Sequence, residues 1–166
     1  MRRSAVAAGA LLAASCARVG PVSRPSGDGT SRTYEVAALR FDAPAAWTAE
    51  GNARAVKLTA PGGEALLEVK ATSSGTSAAD CLARAAEALE KGASALTGVR
   101  RHPTTFAGKK ALFQEADQGG WHGWAWATCD AGEQYRVFLA GRAPVSRQTI
   151  DVQRQVVTTA RLGGNP

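Results

Sequence analysis

From residue 34 onward the chain is built of short runs in which apolar and polar residues alternate, interrupted by two stretches of helical period. Alternation places successive side chains on opposite faces of a strand, whereas a helix repeats every three to four residues. Residues 34–42 alternate, with Ala37, Leu39 and Phe41 on one face, and the run stops at Pro44; Trp47 follows in the connection. Residues 54–59 put Val56 and Leu58 on one face, and Pro61, Gly62 and Gly63 then supply a hairpin turn. The return over residues 64–72 directs Leu67, Val69 and Ala71 inward, with Leu66, Glu68 and Lys70 on the other side. Ser73, Ser74 and Gly75 break it.

Ser77, with Asp80 three residues on, resembles a capping box and puts a carboxylate at the positive end of a helix. Ala78, Leu82, Ala85, Ala86 and Leu89 fall at helical spacing, and Gly92 is a natural stop. Four further strands are predicted over residues 98–106, 109–117, 121–129 and 133–141, joined by turns at Ala107-Gly108, Gln118-Gly119-Gly120 and Asp130-Ala131-Gly132. Ser146 then caps a last helix with Ile150, Val152, Val156, Val157 and Ala160 on its apolar side. Turns this tight force neighbouring strands to run antiparallel. The expected architecture is α+β: a single antiparallel sheet of about seven strands with two helices packed on it, in the order three strands, helix, four strands, helix.

The first 33 residues have a different character. Arg2 and Arg3 precede an uncharged stretch, residues 4–14, containing Leu11 and Leu12. A basic start, a short apolar run and small residues describe an export signal, and the run is too short to span a bilayer. Leu12-Ala13-Ala14-Ser15-Cys16 resembles the lipobox of bacterial lipoproteins, departing from it at Ala13, where leucine is usual. The resemblance implies a signal peptide over residues 1–15 and a lipidated Cys16, held in a membrane by two or more acyl chains. It also implies the bacterial envelope, and Ala17 in place of aspartate favours the periplasmic side of the outer membrane. Cleavage after Ala17, giving a soluble periplasmic or secreted protein, is the alternative. Residues 16–33, with Pro21, Pro25, Gly20, Gly27, Gly29 and no apolar period, read as a disordered tether. Residues 34–162 form the expected domain and 163–166 a tail.

Composition sharpens this picture. A charged share of 20% and a mean hydropathy of −0.17 exclude a disordered polyelectrolyte and a multi-span membrane protein. The net charge of +6 and the pI near 9.7 raise the question of nucleic acid. Residues 1–33, however, carry five arginines against Asp28 alone, leaving only +2 for the remaining 133 residues, with 15 basic and 13 acidic groups. The basic excess belongs to the leader and linker, and no nucleic-acid partner is expected.

Within the domain, Leu39-Arg40-Phe41-Asp42-Ala43-Pro44 followed by Trp47, the Gly62-Gly63 hairpin and the Phe106-Ala107-Gly108-Lys109 turn resemble the PsbP-like superfamily, which includes DcrB-type bacterial lipoproteins. The resemblance implies a binding or assembly module and carries over no catalytic residue.

With Cys16 lipidated or removed, Cys81 and Cys129 remain as an even pair, expected as a disulfide in an oxidising compartment; two buried free thiols are the alternative. A zinc site joining them to His102 and His122 lacks ligand spacing, so no metal and no cofactor is expected. Trp124 and Trp126 share one face, opposite Ala125 and Ala127. They are either core or an exposed aromatic surface for a glycan or protein partner. Arg100-Arg101 and Lys109-Lys110 form a basic cluster, read as solvated turn residues or as a contact for anionic polymers. The expected function is a membrane-tethered, non-catalytic envelope lipoprotein. The alternative is an envelope enzyme whose site would need a polar cleft around His102, His122 or Asp117.

Overall fold

The structure, a computed structural model, describes residues 20–27 and 29–163. The export signal, Ala14, Ser15, Cys16 and residues 164–166 lie outside the described residues. The first strand, β1 (Val22–Pro25), pairs antiparallel with β2 (Ser31–Val36), which turns into β3 (Leu39–Pro44). Buried positions change parity on the way: Tyr34 and Val36 in β2, then Leu39, Phe41 and Ala43 in β3. That change marks a turn, with Ala37 at φ +51° and Val36 opposite Leu39. The single strand expected over residues 34–42 is therefore a hairpin.

The expected tether is corrected as well. Residues 22–25 and 31–33 lie in strands, so the folded domain begins at Val22. Ladder pairing holds β1, and Arg32 Nη2 donates to Ser23 Oγ at 3.0 Å. An edge strand that is mostly exposed needs no apolar alternation and leaves no period to read.

The rest of the chain builds a second sheet. β4 (Thr48–Asn52), β5 (Ala55–Thr59) and β6 (Ala65–Ser73) follow one another, with a 3-10 turn at Pro61–Gly63. After α1 (Ala78–Lys91) and a second 3-10 turn, Gly92–Ala95, come β7 (Thr97–Phe106), β8 (Lys109–Gln118), β9 (Trp121–Asp130) and β10 (Glu133–Arg142). Their hairpins use two left-handed residues each, as at Ala107 and Gly108 with φ +52° and +78°, a geometry whose twist matches that of the strands. α2 (Arg147–Thr159) and β11 (Arg161–Leu162) end the domain.

The seven-stranded sheet runs β4-β5-β6-β10-β9-β8-β7, and a four-stranded sheet runs β1-β2-β3-β11, all antiparallel. The expectation of one sheet is thus corrected to two. The β2–β3 hairpin makes its own sheet, and the exposed β4, which carries no apolar alternation, takes the edge position beside β5. Its large-sheet counterpart at the other edge, β7, is also exposed and carries Pro103 among Arg100, Arg101 and His102, a composition that discourages further strand pairing.

The main core fills the space between the sheets. Val56, Leu58, Leu67, Val69, Tyr135, Val137 and Leu139 meet Tyr34, Val36, Leu39 and Phe41. The Ala38 amide donates to the Tyr135 hydroxyl at 3.4 Å, tying β10 to the opposing hairpin. α2 starts at Ser146, whose Oγ accepts from Thr149 N at 3.1 Å, and packs mainly on β3 through Val152 and Val156. α1 lies on the other face of the large sheet. Ser77 caps it as predicted, accepting from Asp80 N at 3.2 Å, and Cys81, Ala85 and Leu89 are its buried side.

Candidate binding cleft

Cross-strand pairing lays the outer face of the large sheet out in rows. Lys70, Arg136, Ala127 and Leu112 stand in register across β6, β10, β9 and β8. The next row is Glu68, Phe138, Ala125 and Gln114, followed by Leu66, Ala140, Gly123 and Ala116. Arg142, Trp121 and Gln118 close the series. A row lies two residues, or about 7 Å, from the next.

α1 covers only part of this face. Its first turn is bonded to β9 through the Cys81–Cys129 disulfide, with the Cα atoms 6.2 Å apart. Its last turn is held by Arg101, which donates to the Leu89 carbonyl at 3.3 Å and to Gln114 Oε1 at 2.9 and 2.7 Å. Small residues on β9 allow the helix to approach: Ala127 and Cys129 are buried beneath it. Past Gly92 the chain turns away, and the sheet is left open in two adjoining cavities. One, about 400 Å³, lies between the helix end at Ala88, Leu89 and Gly92 and the rows carrying Lys70, Arg136 and Phe138. The other, about 320 Å³, is roofed by Leu96 and floored by Ala116, Gly123, Ala125 and Ala140, with Leu66 and Trp121 at its sides. Gln114, Ala125 and Phe138 belong to both. Each volume is within the range typical of small-ligand sites, about 300–1,000 Å³.

Phe138 divides the cleft and is 40% exposed. Its ring lies directly on the β9 backbone at Gly123, where a methyl group would come within 2.9 Å of Phe138 Cε2. Glycine there lets the ring lie down. The Arg142 guanidinium sits over the Trp121 ring, 5.4 Å from its centroid. Lys70 and Arg136, directly opposite each other, have no ion-pair partner among the described residues; Glu68 beside them pairs with Lys57 at 3.9 Å. Gln114 is buried, its carbonyl oxygen is taken by Arg101, and its amide nitrogen donates to no described residue.

The residues singled out from sequence are distributed differently. Cys81 and Cys129 are bonded to each other. Trp126 is 5% exposed, against Phe106 and Phe113 at ring distances of 5.8 and 5.3 Å, and Trp124 is half-buried against the same core. This corrects the reading of Trp124 and Trp126 as an exposed platform, because their face of β9 turns toward the core and the alanine face toward α1. His122 Nδ1 lies 2.7 Å from Asp117 Oδ1 and its ring meets Trp124 edge-on, while the His102 ring lies tilted against Phe113 instead, 4.9 Å between centroids. The three polar residues thus divide into a pair and a separate ring contact on the strand surface. Among the described residues no group of three or more His, Cys, Asp or Glu is placed to hold a metal ion. The basic cluster is likewise dispersed, with Arg100 on Glu115, Arg101 on Glu90 and Gln114, and Lys109 on Asp130.

Leu66, Leu96, Gln114, Arg136 and Phe138 were not distinguished by sequence patterning as members of one site. A signal does exist: Leu66 and Phe138 are large apolar residues of the parity opposite to Leu67, Val69, Val137 and Leu139, so one of two faces had to be incompletely solvated.

No protein-family model and no curated protein matches the chain. Solved structures do. Cyanobacterial PsbP (CyanoP) from Synechocystis sp. PCC 6803 superposes with a TM-score of 0.58 at 13% identity, over 81% of this chain and 93% of that one. A protein from Bacteroides thetaiotaomicron VPI-5482 superposes with a TM-score of 0.54 at 9% identity, over 89% of this chain. This chain spans half of the Bacteroides protein's length. At these identities the likeness is one of fold, and the chain has a PsbP-like fold.

Proposed function

We propose that this chain is an exported envelope lipoprotein, anchored through Cys16, whose folded domain binds a ligand or partner without catalysis through the cleft beside α1. One observation carries the reading: a helix stapled to the sheet by the Cys81–Cys129 disulfide, beyond which the same sheet face stays open as two adjoining cavities, one of them lined mainly by apolar residues. The bond supports an oxidising compartment, as export would provide. The uncovered face supports a binding role, since apolar surface in a concave site is where ligands gain affinity. The lipobox-like Ala14-Ser15-Cys16 supports the anchor, and Ala17 favours the periplasmic face of the outer membrane. Arg18, two residues past Cys16, would add attraction to anionic headgroups.

The test is fractionation of cells carrying the chain or its Cys16→Ser variant. The parent should be found with membranes and the variant released from them, with a shift in apparent size. An unchanged size and membrane fraction would overturn the anchor.

A further inference from the structure

We infer that the cleft takes an anionic single-chain amphiphile, its hydrocarbon chain over Phe138, Ala125 and Gly123 and its acidic head between Lys70 and Arg136. This rests on the reading of the cleft as a binding site and adds the class of ligand.

The chemistry along the cleft is graded. At the Leu96 end, the floor is alanine and glycine and the sides are Leu66, Trp121 and Phe138, so a ligand group there is held by apolar contact. At the helix end, Lys70 and Arg136 are cross-strand neighbours of like charge. Such pairs are unfavourable unless an anion lies between them. The acid that lines this cavity with them, Glu68, is engaged by Lys57, so the local balance at this lip stays positive. Between the two ends stands Gln114. Arg101 fixes its amide so that the carbonyl oxygen faces the guanidinium, which leaves its N–H groups as donors at the junction of the cavities. The unpartnered Lys70, Arg136 and Gln114 amide therefore offer hydrogen and positive charge, with Gln118 adding a neutral amide at the Trp121 end, and they call for a ligand that accepts: a carboxylate with an apolar tail. From the Lys70–Arg136 row to the Leu66–Ala140 row is four residues along a strand, about 14 Å. That span suits an extended chain and exceeds what a compact anion would fill. Arg142, the cation at the opposite end, is engaged over the Trp121 ring and lies outside the cavity lining.

Titration of the full chain with dodecanoate, below its micelle concentration and at low salt, tests the inference. Trp121 in the cleft wall gives a fluorescence signal and calorimetry gives stoichiometry. Saturable one-to-one binding is expected, weakened at least tenfold by Arg136→Gln or Lys70→Gln and less than threefold by Arg142→Gln, which removes the same charge elsewhere. Dodecanol should bind more weakly than dodecanoate and be insensitive to all three variants. Phe138→Ala, at an exposed position that does not carry the fold, should weaken both ligands. Equal binding of dodecanol and dodecanoate, with no loss in Arg136→Gln, would overturn the anionic assignment while leaving a binding cleft. Binding of neither would overturn both the inference and the cleft as the ligand site. A dimer that excludes dodecanoate and dissociates in Phe138→Ala would assign the cleft to a second copy of the chain and overturn the inference.

Discussion

Trp126 and Phe138 sit on neighbouring strands, both aromatic, and face opposite ways. Trp126 is enclosed by Phe106 and Phe113, whereas Phe138 rests on Gly123 with 40% of its surface in water. Trp126→Ala is expected to cost about 3–5 kcal/mol in denaturant unfolding, by lost burial and the cavity left behind. Phe138→Ala is expected to cost about 1 kcal/mol or less. A reversed order would show that the faces of β9 and β10 are assigned the wrong way round. A second residue-scale expectation concerns Glu133, at the start of β10. The Arg54 guanidinium, and after it the Ser73 hydroxyl at 2.9 Å, hold its carboxyl below the usual carboxylate range. A carboxyl whose pKa is lower in the folded than in the unfolded chain contributes stability above the unfolded pKa. That contribution is lost as pH falls through the folded value. Glu133→Gln should therefore be less stable than the parent at neutral pH, with the difference shrinking through the acidic range. A difference independent of pH would remove the ion pair as its source. Trp126 was legible from its spacing to Trp124 as one of two alternatives only, because alternation names the face a residue shares and not which face meets the core.

α1 shows how an element can be readable and still leave its placement open. Ser77, Asp80, the apolar spacing and Gly92 specify a helix over nearly the observed residues. Its partner is decided by the small residue Ala127 on β9 and by the bond to Cys129, which closes a separation of 48 residues. In the chain-entropy picture a loop of this length is worth about 4 kcal/mol. Replacing both cysteines, Cys81→Ala with Cys129→Ala, should lower unfolding stability by about 2–4 kcal/mol. It should also raise amide exchange first in α1, since that helix has few other buried contacts. Protection unchanged in α1 would mean that Arg101 and the apolar stripe suffice to hold it. β1, β4 and β11 are the elements that patterning missed. They are short edge strands held by backbone pairing that any side chain permits; β1 and β4 are mostly exposed, and β11, only two residues long, buries Leu162 alone.

At the scale of the molecule, three layers stand in order: α1, the seven-stranded sheet, and the four-stranded sheet with α2. The four-stranded layer begins at Val22, inside what composition alone suggests is linker. A chain lacking residues 1–21 should therefore melt like the parent. One lacking residues 1–33 loses β1 and half of β2, and should melt about 4–8 °C lower, corresponding to about 2 kcal/mol. Equal melting temperatures would restore the linker reading. The same layering makes the cleft: α1 is short relative to the face it lies on, and the seven-stranded sheet is wide enough to leave rows of it bare.

Much of this was determined by the sequence on its own. Local rules act between near neighbours, so the strands from Thr97 to Arg142, their turns and both capped helices follow from alternation, positive-φ turn residues and serine caps. The even cysteine pair likewise pointed to the bond that is present. Tertiary structure decided the rest: the division into two sheets, the burial of Trp126, and the meeting of Leu66, Leu96, Gln114, Arg136 and Phe138 around one cleft. These depend on contacts between residues far apart in the chain, above all the pairing of β6 with β10. No local periodicity encodes which distant strand will be a neighbour, and it is that neighbour which brings Lys70 beside Arg136.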